Sequence, residues 1–185
     1  VCLNVGCIPS KALLHAARVI EEANAMKNHG INFSKPKIDA KKLSGWKNGI
    51  VSKLHSGLEE LSKQRKIKVL RGTGFFQSSN CIVLENKESI DFEKCIVAVG
   101  SENALLPGIP DDIRVLDSTR ALDLEKIPKS LLVVGGGIIG LEMACVYNAL
   151  GSKITVAELT ETLMPGTDKD LVSTYSRYIG SRYED

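Results

Sequence analysis

Histidine is scarce in this chain: His15, His29 and His55 are all there is among 185 residues. None stands near the serine or cysteine pattern of a hydrolase, so each reads as a surface or satisfied core residue and not as a general base. An excess of one charge is missing too. Lys and Arg number 24 against 22 Asp and Glu, for a net charge of +2, too little to call for a nucleic-acid partner. The lysines at 35, 37, 41 and 42, and those from Lys63 to Lys68, read as solvated faces. No apolar run approaches the roughly 20 residues of a membrane span. No signal peptide is visible, but the sequence opens on Val1 without an initiator methionine, so that silence carries no weight. Internal repeats and low-complexity tracts are lacking. Cys81, Cys95 and Cys145 have no metal-ligand spacing and fall in apolar stretches, which predicts buried thiols. A hydrophobic content of 43% with 25% charged residues excludes a disordered chain and fits one or two globular domains.

Against that background the first residues stand out. Cys2 and Cys7 flank Leu3-Asn4-Val5-Gly6, and Ile8-Pro9-Ser10-Lys11 follows at once. A bridge across so short a loop removes little chain entropy. The pair therefore reads as a redox-active dithiol or disulfide; the alternative is two ordinary, inert cysteines. An odd cysteine count with one short redox pair suits a reducing compartment. Pro9 suits the first position of a helix that continues through Ile20, with Gly30 as its stop. Cys7 is thus expected just before a helix N-terminus, where the dipole favours an anion by about 0.3–1 kcal/mol. A thiolate there should have a lowered pKa. Lys11 lies in the same first turn, where its charge opposes the dipole; it reads either as a solvated lysine or as one that reaches an anionic or electron-rich partner.

The second pattern is Leu131-Leu132-Val133-Val134-Gly135-Gly136-Gly137-Ile138-Ile139-Gly140-Leu141-Glu142, a short apolar strand entering G-x-G-x-x-G and then a helix that ends near Gly151. Lys153 to Ala157 reads as a second strand with Glu158 at its end. This is the dinucleotide fingerprint in its strand–turn–helix–strand context. Gly135 allows the tight turn, Gly137 lets the backbone approach a pyrophosphate, and Gly140 permits close helix–strand packing. Glu158 can accept from a ribose 2′-hydroxyl and would repel a 2′-phosphate, and no arginine lies between it and Tyr175. NAD is favoured over NADP.

Elsewhere the pattern is coarser. A second helix is predicted from Asp39 to Lys63, with Leu43, Trp46, Ile50, Leu54, Leu58 and Leu61 as a core-facing stripe. Ile67–Leu70 reads as a strand, Cys81–Glu85 with Ser89–Phe92 as a hairpin, and Cys95–Val99 as an apolar strand ending in Gly100-Ser101. A domain boundary falls near residues 115–128.

The run from Cys2 to Leu14 resembles the redox segment of the disulfide flavoprotein reductases, and most closely the dihydrolipoamide dehydrogenase branch, through Leu3 and Ile8-Pro9-Ser10-Lys11-Ala12-Leu13-Leu14. The resemblance extends along the whole chain. It implies an α/β fold in which a partial FAD-binding domain (1–120) joins the start of a Rossmann-type NAD-binding domain (121–185). Cys2 would be the sulfur that exchanges with substrate and Cys7 the sulfur against the flavin. Lys11 would lie beside the flavin and pair with Glu142. Gly74, Gly100 and Ser101 would lie along FAD, with Val99 where the family carries threonine. Gly135, Gly136, Gly137, Ile138, Ile139, Gly140, Glu142 and Glu158 would serve NAD. Implied partners are lipoyl domains of 2-oxo acid dehydrogenase complexes or of the glycine cleavage system, and a second copy in a homodimer at full length. The implied compartment is the cytoplasm, or the mitochondrial matrix in a eukaryote. The family chain is more than twice as long, so the sequence reads as an internal piece that is inactive alone. Mercuric or glutathione reductase-like enzymes and a non-catalytic NAD-binding module are the alternatives. Ser10 and Glu158 disfavour glutathione reductase.

Overall fold

The computed structural model describes residues 1–104 and 106–184. Its elements are α1 (Cys2–Val5), α2 (Cys7–Ala25), a 3₁₀ turn (Met26–His29), α3 (Ala40–Gln64), β1 (Gly74–Ser78), β2 (Cys81–Leu84), β3 (Ser89–Asp91), α4 (Ser118–Ala121), β4 (Ser130–Val134), α5 (Ile138–Ala149), β5 (Lys153–Ala157) and α6 (Lys169–Ile179). They form two compact units, one of Val1–Leu54 with Asn103–Asp185, the other of His55–Glu102. No helix among the described residues is long and apolar enough to cross a membrane.

The first unit is built on α5. This helix is apolar nearly all round, which is the composition of a helix covered on several sides. Leu141, Met143, Ala144, Val146 and Tyr147 are all buried. It packs on β4 and β5 on one side and on α2 on the other. The two strands are parallel, with Leu131 opposite Ile154 and Val133 opposite Val156. Leu13 of α2 and Leu122 and Leu124 after α4 complete the core. Helix α2 begins at Cys7, two residues before the predicted Pro9, and ends through the 3₁₀ turn at Gly30, whose φ of +84° stops the helix as expected. Asp117 caps α4 by accepting from the Arg120 N–H at 2.8 Å. The Glu184 N–H donates to the Ile154 carbonyl of β5 at 2.8 Å.

Tyr147 is the largest fully buried side chain here, and its hydroxyl donates to the Ala121 carbonyl at 2.8 Å. Burial, with a smaller push from Asp123, raises its phenol to about 12. Because the folded pKa lies above the usual tyrosine value near 10, this contribution is complete below that value and fades as pH climbs towards 12. Tyr147→Phe should cost about 1 kcal/mol in urea unfolding at neutral pH. An unchanged midpoint would show that the bond contributes nothing net.

Helix α3 matches its predicted span to within a residue at each end, and Asp39 caps it through the Lys42 N–H at 3.0 Å. Its stripe departs from expectation. Leu43 packs on the core, but Trp46, Leu54, Leu58 and Leu61 are all exposed. The buried residue of the helix is Lys47, 3% exposed, whose Nζ donates to the Leu122 carbonyl at 2.7 Å. Burial depresses its ammonium, partly offset by Asp123.

The second unit holds an antiparallel sheet in the order β1-β2-β3, with Phe75 opposite Val83 and Ile82 opposite Ile90. The predicted hairpin is present. The predicted strands at 67–70 and 95–99 are not: both stretches are unpaired. Val69, Ile96, Val97 and Val99 are exposed. An apolar run becomes a strand only where neighbouring strands take up its N–H and C=O groups, and the described residues supply none. Cys95 is consequently exposed and Cys81 only half-buried, against the expectation of buried thiols. Cys145 is also half-buried, and desolvation pushes its thiol up.

Candidate redox and dinucleotide site

The redox segment is two helical turns broken at Gly6. The Val5 N–H closes α1 on the Val1 carbonyl at 3.0 Å, and the Ser10 N–H opens α2 on the Gly6 carbonyl at 3.1 Å. A Cβ at Gly6 would stand 3.1 Å from the Cys2 Cα, so glycine allows the close fold-back that turns Cys2 towards Cys7. Both cysteines are exposed, and both are free thiols. Of the two states read for the pair, dithiol or disulfide, the structure holds the dithiol, with the Cys7 thiol hydrogen-bonded to Cys2.

The Cys7 thiol is raised, not lowered as expected from the helix start. Hydrogen bonding to Cys2 is the largest cause, followed by desolvation and the charge of Cys2. The Cys7 backbone and the Lys11 charge pull the thiol down. A second sulfur close by outweighs them, because two thiolates side by side repel and a shared proton favours the thiol.

Lys11 has an anionic partner. Its ammonium is ion-paired with Glu142 Oε1, and that contact raises the lysine above its ordinary value. The Ser10 hydroxyl donates to the other oxygen, Oε2, at 2.6 Å. The carboxylate on α5 thus receives two donors from the first turn of α2. The family resemblance implied the pairing of Lys11 with Glu142; neither it nor the charges pointed to Ser10, whose hydroxyl carries no charge signal.

The fingerprint turn is formed as read. Gly135 has φ +106°, a conformation that favours glycine. A methyl at Gly140 would collide with the Gly135 carbonyl oxygen and stand 3.1 Å from Val133 Cγ1. At Gly137 nothing lies within 4 Å of a Cβ, and Ile138 and Ile139 just beyond it are exposed. The first N–H groups of α5 therefore open onto a clear surface, the arrangement that receives phosphate. Glu158 is tied into the turn. Its Oε2 accepts from the Gly136 N–H at 2.7 Å, and its Oε1 accepts from the Thr160 N–H at 2.8 Å and the Thr160 hydroxyl at 2.9 Å. These bonds, the Thr160 backbone first, hold the carboxyl below its usual range, so it is ionised at neutral pH. Oε2 accepts one bond and keeps a lone pair free. Beside Glu142 runs an apolar groove of about 230 Å³ lined by Leu14, Ile138, Leu141, Cys145, Met164 and Tyr175.

Cys2, Cys7, Lys11, Glu142, the fingerprint glycines and Glu158 all belong to the first unit. Gly74, Gly100 and Ser101 belong to the second. Gly74 opens β1 opposite Leu84, where a Cβ would stand 3.0 Å from Ile82 Cγ2. Gly100 has φ +82° and follows the unpaired 95–99 stretch. No group of three or more His, Cys, Asp or Glu among the described residues has metal-binding geometry.

A profile of pyridine nucleotide-disulphide oxidoreductases matches residues 1–181. The chain belongs to that family. It is 50% identical to a dihydrolipoyl dehydrogenase of Vibrio cholerae over 187 residues, covering 99% of this chain and 39% of the relative. It is 46% identical to one of Haemophilus influenzae, covering 100% of this chain and 40% of that one. In these relatives it spans about two fifths of the length. Among solved structures of the family's kind, the HOCl-induced flavoprotein disulfide reductase RclA of Escherichia coli superposes with a TM-score of 0.78 at 27% identity, over 98% of this chain and 38% of that one. Family membership accounts for the pairing of a two-cysteine segment with a nucleotide turn in one chain.

Proposed function

We propose that this chain is the part of a dihydrolipoyl dehydrogenase that carries the redox pair and opens the NAD-binding domain. One observation carries the reading: Lys11, one turn after Cys7, is clasped by Glu142 of the fingerprint helix. The dithiol segment and the nucleotide turn thereby share one carboxylate. A nucleotide-sensing module needs no such link.

Residues 1–120 are assigned to an FAD-binding domain and 121–185 to an NAD-binding domain. Cys2 is the sulfur that meets the dihydrolipoyl group, and Cys7 is the sulfur on the cofactor side. In the oxidised pair, a substrate thiolate attacks Cys2, the Cys2–Cys7 bond breaks, and Cys7 leaves as a thiolate. The second substrate thiol then displaces Cys2, closing the lipoyl disulfide and leaving two electrons on the cysteine pair. Lys11 holds a positive charge beside the Cys7 thiolate. FAD, when bound, supplies the two-electron relay from the pair to NAD. The open α5 N-terminus fits a pyrophosphate, the free lone pair of Glu158 fits a ribose hydroxyl, and the groove beside Glu142 fits an apolar ring face. Gly74, Gly100 and Ser101 are assigned to FAD. Lipoyl domains, a second copy of the complete chain and a cytoplasmic location complete the reading.

The test is direct. The complete protein, purified, should carry flavin and form NADH from NAD and dihydrolipoamide. Turnover of glutathione disulfide or mercuric ion with a reduced nicotinamide, and none of dihydrolipoamide, would move the assignment to another branch of the family.

A further inference from the structure

We propose that Ser10 is a positioning residue for the redox pair: its hydroxyl fixes the Glu142 carboxylate and, through it, the Lys11 ammonium beside Cys7. The redox role this serves rests on the function proposed above; the geometry does not.

Ser10 is 5% exposed and donates to Glu142 Oε2 at 2.6 Å, while Lys11 takes Oε1. The two donors differ in kind. The Lys11 side chain is 62% exposed on a flexible stem, and an ion pair so open to water holds its partners weakly. The Glu142 side chain is only 20% exposed. A short bond from a buried hydroxyl to a charged acceptor is the stronger and more directional of the two contacts. Consecutive residues on a helix point about 100° apart, so Ser10 approaches the carboxylate from the packed side of α2 and Lys11 from the solvent side. Without the hydroxyl, Oε2 would sit half-buried and free to rotate, and Lys11 would lose a fixed target. Lys11 lowers the neighbouring Cys7 thiol, so the serine acts on the sulfur only through Glu142 and the lysine.

Competitive acetylation of the complete protein with limiting acetic anhydride at neutral to mildly alkaline pH tests this. Mass spectrometry reads Lys11 against exposed Lys37 as reference and buried Lys47 as the control for folding. Amine reactivity follows the fraction of free base, which the ion pair suppresses. Ser10→Ala should raise the relative rate at Lys11 about fivefold, the effect expected for release of an exposed ion pair. Glu142→Ala should do the same, and the double variant should react no faster than Glu142→Ala alone. If Ser10→Ala exposes Lys47, the isosteric pair decides: Ser10→Thr keeps Lys11 slow and Ser10→Val makes it fast. An unchanged Lys11 in Ser10→Ala, equal rates in the Thr and Val variants, or independent addition of the Ser10 and Glu142 effects would overturn the proposal. Labelling needs neither flavin nor dihydrolipoamide. A complete protein that passes the labelling cycle yet lacks dihydrolipoamide turnover would sink the proposed function and leave Ser10 in place.

Discussion

Serine in place of Cys2 or of Cys7 should each lower dihydrolipoamide-dependent NAD reduction by about 10³-fold or more, the size expected when a covalent nucleophile is lost. The two variants should differ in what remains. In the unsubstituted chain, the Cys7 thiol is held up first by hydrogen bonding to Cys2, with the charge of Cys2 adding to it. Cys2→Ser removes the second sulfur, the largest cause, and leaves desolvation, which still holds the thiol up, set against the Cys7 backbone and Lys11, both of which favour the thiolate. The Cys7 thiol should therefore titrate at lower pH in Cys2→Ser than in the reduced parent. The ultraviolet absorbance of the thiolate followed against pH reads this in either protein. A Cys2→Ser variant with parental turnover would remove Cys2 from the reaction. A Cys7 titration that moved up in that variant would show that something other than the second sulfur holds its proton.

That shift marks a limit of reading residues one at a time. The helix was legible from Pro9 and the apolar run that follows, though it starts two residues earlier, at Cys7, and the Cys7 backbone alone acts on the thiol in the expected direction. The competing effect depends on a fold-back at Gly6 that brings Cys2 close, and spacing alone does not say whether the sulfurs end up bonded or merely adjacent. Lys11 was the converse case. A cation in the first turn of a helix opposes the dipole; that misfit allowed a solvated lysine or an anionic or electron-rich partner, and the structure supplies Glu142. Ser10 left no such misfit, because a serine in a first turn is ordinary.

Local elements were legible wherever the chain supplies both halves of an interaction. The hairpin β2–β3 carries its own partner strand, and the fingerprint carries the strand, turn and helix that explain its glycines. Burial was less legible, since it depends on what lies across the interface. Leu131 and Val133 face α5, but Leu132 and Val134 on the opposite face of β4 are exposed. A run of four apolar residues is the mark of a parallel strand covered on both sides; here the described residues cover one. Cys95–Val99 and the far half of the α3 stripe follow the same rule.

Gly140 and Gly137 should part company under the same small substitution. A methyl at Gly140 collides with the Gly135 carbonyl and crowds Val133. Neither is the far end of a flexible side chain: one is backbone in the turn, and the other is a branched residue on β4. Relief requires α5 to lift from the strand, at the cost of about 1–3 kcal/mol typical of overpacking. Lifting α5 also moves Glu142 away from Ser10 and Lys11, so Gly140→Ala should lower the urea midpoint, weaken NAD binding and release Lys11 together. At Gly137 the backbone has φ −77°, which any residue adopts, and nothing lies within 4 Å of a Cβ. Gly137→Ala should therefore leave the urea midpoint unchanged. Its methyl would instead project into the space before the α5 N–H groups, where a pyrophosphate would approach, and NAD affinity should fall about tenfold, or 1.4 kcal/mol. Calorimetric titration with NAD, set beside urea unfolding, separates the two. If Gly137→Ala bound NAD as tightly as the parent, the pyrophosphate would have to lie elsewhere than on this turn.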